Sequence, residues 1–182
     1  LDLKGLFYIP RVIQASKLGD AAILKVLIKI LSENKIRVIK LNTFNPELTL
    51  KKGIFTKIKP NNHDRKEILK GIKTLKNINS YNHTQAVIIR DNKVISLEKR
   101  QGTKEMINSI TKTIKQKGIL IKLPKPKQDL RVDLPTIGLE TFKDCKKAGL
   151  KGIVIKSNEN ILLNRSQSIN YANKNKLFLL SI

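Results

Sequence analysis

Short apolar segments alternate with amphipathic segments from residue 63 to residue 182, and this alternation restricts the fold more than any other feature of the sequence. Helices are predicted where apolar residues recur at helical spacing, over 63–78, 138–148 and 166–175. Strands are predicted for six short apolar segments: 84–90, 93–99, 119–123, 152–157, 160–164 and 177–182. Strands that alternate with helices predict an α/β layer architecture with a mixed sheet.

Two connections carry specific signals. Asp91 and Asn92 separate the first two predicted strands, and a two-residue connection of this type favours a β-hairpin. Thr103 is placed to cap a helix that runs to Lys117, where Gly118 would end it.

The first 45 residues look like part of another unit. Residues 20–34 have helical apolar spacing with Asp20 as a candidate N-cap, and KIRVIKL (35–41) predicts a strand. One helix and one strand form only the end of an α/β unit, because no partner strand is predicted nearby. We therefore expect residues 1–45 to be a remnant of an N-terminal domain and residues 46–182 to form a C-terminal domain.

The chain is strongly basic, with 37 Lys and Arg against 14 Asp and Glu, for a net charge of +23. Such a charge favours anionic partners. The basic residues are spread evenly, however, and only 4 % of residues are aromatic, so a specific nucleic-acid surface is not expected and a basic nucleic-acid-binding protein ranks last. A lone cysteine, Cys145, and the lack of any long apolar run favour a cytoplasmic location.

The segment KPKQDLRVDLPTIG (125–138) is the strongest candidate for chemistry. Its prolines favour extended backbone, which would place Asp129, Arg131 and Asp133 on one face. Fully extended backbone would hold the two carboxylates too far apart to share one small ion, so either the segment bends or the two acids have different roles. Carboxylates of this kind hold Mg²⁺, and an arginine holds phosphate. An exposed row of ion pairs would give the same residue types, so the spacing alone leaves both interpretations open.

This segment, together with AGLKGIVIKSNENILLNR and the final NKLFLLSI, resembles the UDP-2,3-diacylglucosamine pyrophosphatase family of the LpxI type. The similarity is colinear from about residue 85 to residue 182. It implies the end of a truncated Rossmann-like N-terminal domain followed by an α/β C-terminal domain, with the substrate held between them.

The resemblance implies Mg²⁺-dependent hydrolysis of UDP-2,3-diacylglucosamine to UMP and 2,3-diacylglucosamine 1-phosphate, in lipid A biosynthesis. It implies catalytic and metal-binding roles for Asp129 and Asp133. It implies substrate contacts for eight further residues: Asp20, Gln85, Glu98, Gly102, Thr103, Gln128, Arg131 and Thr136. A diacylated substrate also implies peripheral contact with the inner membrane of a Gram-negative bacterium.

Four positions depart from the family pattern, and one of them is Lys127, which stands where relatives usually have glycine. Gln101 and Lys104 stand where relatives tend to have acidic residues, and Ala21 follows Asp20 where a second aspartate is usual. These departures keep open an inactive family member that binds a ligand or partner without turnover. His63 and His83 lack the spacing of metal ligands, and the sequence predicts no oligomeric state.

Overall fold

The fold is organised around strands of a mixed sheet, seen in a computed structural model that describes residues 3–78, 84–112, 117–126 and 128–182, without the side chains of residues 3, 4 and 20. The strands are β1 (Gly53–Ile54), β2 (Ala86–Arg90), β3 (Lys93–Leu97), β4 (Ile119–Lys122), β5 (Thr136–Ile137), β6 (Gly152–Ile155), β7 (Ile161–Leu162) and β8 (Phe178–Ser181). Six of them form one sheet in the order β1-β8-β6-β4-β2-β3, in which β4, β6 and β8 are parallel. Strands β5 and β7 pair separately.

Helices cover both faces of this sheet. The helices are α1 (Leu3–Ser16), α2 (Asp20–Glu33), the single turn α3 (Leu41–Phe44), α4 (Asn62–Asn77), α5 (Gly102–Asn108), α6 (Leu139–Lys147) and α7 (Arg165–Lys174). Of these, α4 packs on one face of the sheet, and α5, α6 and α7 pack on the other. A short 3₁₀ turn spans Pro46–Leu48. The architecture confirms the predicted α/β class with a mixed sheet.

Alternate side chains of the central strands enter two separate apolar layers. Ile119 and Ile121 of β4 pack with α4, whereas Leu120 packs with α5, α6 and α7 around the buried Phe142. Burial on both faces explains why these strands are nearly continuous apolar runs rather than alternating ones. Residue 122, the next in β4, therefore lies on the same face as α5.

The β2–β3 connection forms the predicted hairpin. Asp91 and Asn92 have φ angles of 51° and 54°. Positive φ at both central residues is the requirement of the type I′ turn, whose twist matches that of paired strands.

The N-terminal predictions need correction. The predicted strand at 35–41 is wrong, because residues 36–40 follow α2 without strand pairing and lead into α3. Alternating residue types cannot make a strand without a neighbouring edge to accept its backbone hydrogen bonds. Helix α1, which the sequence reasoning missed, packs on α2 and is fastened by two hydrogen bonds of 2.7 and 2.8 Å from Arg11 to Glu33.

The helix after β3 is also shorter than predicted. It begins at Gly102 rather than at a Thr103 cap, and it ends at Asn108 instead of Lys117.

The domain boundary that the sequence predicts between residues 45 and 46 stays a prediction. Within the described residues, no helix combines the length and apolarity needed to cross a lipid bilayer.

Candidate functional site

A cleft of about 580 Å³ opens where β4 ends. The turn between α1 and α2, residues 16–21, forms one wall, and the segments after β3 and β4 form the others. Four of the residues implied by the family resemblance line it: Gln85, Glu98, Gly102 and Asp133. Ligands of α/β sheets bind outside the carboxyl ends of parallel strands, and this cleft lies at the carboxyl end of β4.

The cleft is lined mainly by cations. Five basic side chains contribute to it: Lys17, Lys99, Arg100, Lys122 and Lys125. The acidic side chains of its lining are Glu98 and Asp133. Convergent positive charge in a concave surface concentrates anions, so the electrostatics suit a phosphorylated ligand.

A hydrogen-bonded network forms the floor. The buried Glu98 accepts hydrogen bonds from the backbone N–H of Gln85, at 2.9 Å, and from the hydroxyl of Thr103. Lys122 Nζ donates to Thr103 Oγ1 at 2.6 Å and lies 3.8 Å from Glu98 Oε1. Burial lowers the pKa of Lys122, and attraction to Glu98 offsets only part of that effect.

The motif segment bends instead of running straight. The backbone N–H groups of Val132 and Asp133 both donate to the carbonyl of Asp129, which closes a turn. The extended arrangement, with Asp129, Arg131 and Asp133 on one face, is therefore wrong, and the alternative of a bent segment is the one that the structure has. The turn satisfies backbone groups locally, which an unpaired strand at this position could not do.

The two aspartates have different surroundings. The Arg131 guanidinium binds both oxygens of Asp129, at 2.9 and 2.7 Å, and thereby holds the pKa of Asp129 below its usual range. Asp133 is half-buried, and no residue in the described part of the chain hydrogen-bonds or ion-pairs with its carboxylate. Asp133, rather than Asp129, is thus the carboxylate available to a ligand in the cleft.

Arg131 does not line this cleft. It borders a separate groove of about 380 Å³ formed by α2 and the segment that follows it, beside Lys35 and Arg37. The contact of Arg131 with pyrophosphate stays a prediction. In this structure its guanidinium is paired with the carboxylate of Asp129.

The other predicted residues have varied positions. Gln128 Oε1 accepts from the backbone N–H of Lys125 at 2.8 Å, so this side chain shapes the loop. Thr136 lies in β5 and lines a different depression, at the start of α6. Gly102 has a φ of +88°, which favours glycine where the chain enters α5. Asp20 begins α2 between two cleft-lining residues, and its side chain lies outside the described part.

Sequence reasoning missed Lys122 and Lys125. Lys122 did carry a signal, because a lysine that ends the apolar run ILI must either reach solvent or find a polar partner. The sequence did not indicate which partner it would find.

A separate cluster of one histidine and two acidic residues lies at the other end of the sheet. Single ligand atoms of His63, Asp64 and Glu67 lie within 4.8 Å of one another, in contrast to the prediction from spacing. The ammonium of Lys151 already binds this cluster, 2.6 Å from Asp64 Oδ1 and 2.9 Å from Glu67 Oε2. A metal would have to displace that cation. His83 lies outside the described residues.

Comparison with known proteins agrees with this description. The family model for the LpxI C-terminal domain matches residues 51–180. The UDP-2,3-diacylglucosamine pyrophosphatase LpxI of Caulobacter vibrioides is 28 % identical over 189 residues, an alignment that covers 100 % of this chain and 68 % of the relative. The matched region contains the mixed sheet up to the last residue of β8 and, apart from the α1–α2 turn, every wall of the cleft. The chain belongs to the LpxI family.

Proposed function

We propose that this protein hydrolyses the pyrophosphate bond of UDP-2,3-diacylglucosamine, giving UMP and 2,3-diacylglucosamine 1-phosphate. One water is consumed, the bridging phosphorus–oxygen bond breaks, and each product keeps one phosphate. The observation that carries the proposal is the cationic cleft lined by Asp133, whose carboxylate has no partner among the residues that the structure describes. Family membership supports the choice of substrate, since the Caulobacter relative bears that name.

The side chains of the cleft have separable tasks. Lysines and Arg100 neutralise and orient the two phosphates, because charge-assisted hydrogen bonds to phosphate are stronger than neutral ones. Holding the diphosphate in one orientation lowers the entropic part of the barrier. The wall formed by residues 16–21 covers one side of the cleft and so limits the approach of bulk water to the reacting bond from that side.

The donor set of the cleft fits a magnesium ion. Mg²⁺ is commonly held by one or two carboxylates, with phosphate oxygens and water completing its shell. Asp133 would hold it, whereas both oxygens of Asp129 are bound by Arg131. When bound, the ion supplies Lewis-acid stabilisation of negative charge on the phosphate oxygens.

The test compares three aspartate variants by UMP release from UDP-2,3-diacylglucosamine with Mg²⁺. Asp133→Asn is expected to lower kcat/KM at least ~100-fold, within the usual range for a group acting at the reacting centre. Asp129→Asn is expected to lose less, because its carboxylate is paired. Asp91→Asn, in the hairpin turn at the opposite end of the sheet, is the control and keeps full activity.

Two results would contradict the proposal. No UMP from folded wild-type protein would leave the inactive, ligand-binding family member as the better description. A larger loss in Asp129→Asn than in Asp133→Asn would refute the assignment of Asp133 as the available carboxylate.

We further propose that α1 and the turn that follows it contact a membrane surface, since the substrate carries two acyl chains. Phe7 and Leu18 are 83 % and 78 % exposed, and Lys17 lies between Leu18 and the end of α1. Exposed apolar residues beside lysines are typical of helices that lie in the interface of anionic bilayers. This surface adjoins the cleft wall, so a lipid held at the bilayer could present its headgroup to the cleft.

A further inference from the structure

Lys122 is the most unusual cation of the cleft. It ends β4, the central strand that carries the parallel pairing to β6, and its side chain is only 12 % exposed. Lysine is almost never buried without a partner of opposite charge or a strong acceptor. The reason for burying this one has to lie in its contacts.

The contacts of Lys122 leave part of its hydrogen-bonding capacity unused. An ammonium has three donors. One goes to Thr103 Oγ1 at 2.6 Å, while Glu98 Oε1, at 3.8 Å, is an ion-pair partner beyond hydrogen-bonding distance. No other acceptor for Lys122 Nζ is found in the described part of the chain. The remaining donors lie at the cleft, which Lys122 lines.

Glu98 and Thr103 are themselves fixed in place. Glu98 accepts from the Gln85 backbone and from Thr103, so its carboxylate cannot swing towards the ammonium without losing hydrogen bonds. The pair therefore holds Lys122 in one position while leaving its charge incompletely neutralised. This is the arrangement expected of a preorganised anion-binding group.

We propose that Lys122 binds a phosphate of the diphosphate directly, and that Glu98 and Thr103 are positioning residues that act through it. The proposal rests on the proposed function for the identity of the ligand, a nucleoside diphosphate. It assigns phosphate binding to the floor of the cleft rather than to the motif arginine, Arg131.

The test measures binding rather than turnover. UDP and inorganic pyrophosphate are titrated by calorimetry into the full chain in EDTA. Lys122→Met is expected to weaken both affinities about 10- to 100-fold, the size of a lost charge-assisted hydrogen bond. Lys93→Met, which removes the same charge from an exposed strand position of the same sheet, is expected to change them less than about twofold.

A second variant separates contact from folding and from net charge. Lys122→Met leaves Glu98 buried beside an apolar group, which could unfold the site. Lys122→Met/Glu98→Gln removes both charges, so the variant has the net charge of the wild type. It is expected to melt cooperatively and to bind as weakly as the single variant. Wild-type affinity in the double variant would overturn the proposal.

Thr103 provides a check on positioning. Thr103→Val removes the acceptor that holds the ammonium and is expected to weaken UDP binding, whereas Thr103→Ser keeps the hydroxyl and the affinity. Equal affinities in these two variants would refute the positioning role.

The outcomes distinguish this inference from the proposed activity. Binding that depends on Lys122, without UMP release, supports the inference and refutes the activity. UMP release by the wild type with unchanged binding in Lys122→Met refutes the inference alone. A wild-type protein that binds neither probe refutes the inference, and the UMP-release assay with Mg²⁺ then decides on the activity by itself.

Discussion

Replacing Lys151 tests how much a buried ion pair, at the end of the sheet opposite the cleft, contributes to the unfolding free energy. Lys151 precedes β6 and binds two carboxylates of α4, at 2.6 Å from Asp64 Oδ1 and 2.9 Å from Glu67 Oε2. Glu67 is fully buried and Asp64 nearly so. Burial opposes the charge on Lys151, but the hydrogen bonds to Asp64 and Glu67 outweigh it and raise the pKa of this lysine. The cation is therefore charged at all physiological pH values.

The magnitude follows from what Lys151→Met leaves behind. Asp64 Oδ2 and Glu67 Oε1 keep backbone donors, from Asn61 and Asn92, whereas Oδ1 and Oε2 have no donor besides Lys151 in the described part of the chain. Breaking a buried ion pair typically costs 3–5 kcal/mol of unfolding free energy, and partial exposure of the lysine places this case at about 3 kcal/mol. For a domain of this size, that corresponds to a fall in Tm of roughly 6–12 °C.

The assay is thermal and urea unfolding followed by circular dichroism at pH 7. Lys143→Met is the matched control: it breaks an exposed i,i+3 pair with Glu140 and is expected to leave stability unchanged within error. Lys151→Met/Glu67→Gln is expected to recover part of the loss, because one uncompensated buried charge is gone. A Lys151→Met protein within about 1 kcal/mol of the wild type would refute the reasoning.

The other predictions concern the cleft and the turn beside it. Burial lowers the pKa of Lys122 in the folded protein below its ordinary value of 10.5. Between the folded and the unfolded pKa, the unfolded chain therefore binds more protons than the folded one, so the unfolding free energy of the wild type should rise with pH relative to that of Lys122→Met. Urea unfolding at a series of pH values measures this difference. Lys122 lies beside Glu98, Thr103, Lys125 and Asp133, and UDP affinity should decline over the same pH interval as its ammonium loses a proton. A difference in UDP affinity between wild type and Lys122→Met that does not change with pH would contradict this. Phe7→Ser should reduce co-sedimentation with phosphatidylglycerol vesicles several-fold, while Phe44→Ser, equally exposed on α3, should not; equal binding of the two would refute the membrane surface.

Much of the fold was predictable because it is encoded locally. The apolar runs that became β2, β4, β6 and β8 need no knowledge of their neighbours to be recognised, and Asp91-Asn92 suits its turn by its own backbone preferences. The segment 35–41 shows the limit of this reasoning. Its polar and apolar residues alternate as in a strand, but none of the described strands pairs with it.

The candidate site was predicted only in part, because its members converge through tertiary structure. The sequence brings Asp129, Arg131 and Asp133 together in one motif, yet a turn separates them, with Asp129 bound to Arg131 and Asp133 facing the cleft. The spacing of the residues along the chain does not specify the turn at Asp129, because its hydrogen bonds form only when the loop is held at both ends.

The sequence by itself determined the α/β class, the strands β2, β3, β4, β6 and β8 of the main sheet, and the family, because hydrophobic periodicity and motif residues are properties of short segments. Tertiary structure alone decided that Lys122 meets Thr103 and Glu98 beneath a cationic cleft, and that Lys151 occupies the acidic cluster on α4. These contacts depend on strand order, register and helix packing. Their energies come from burial, which exists only once the layers have closed.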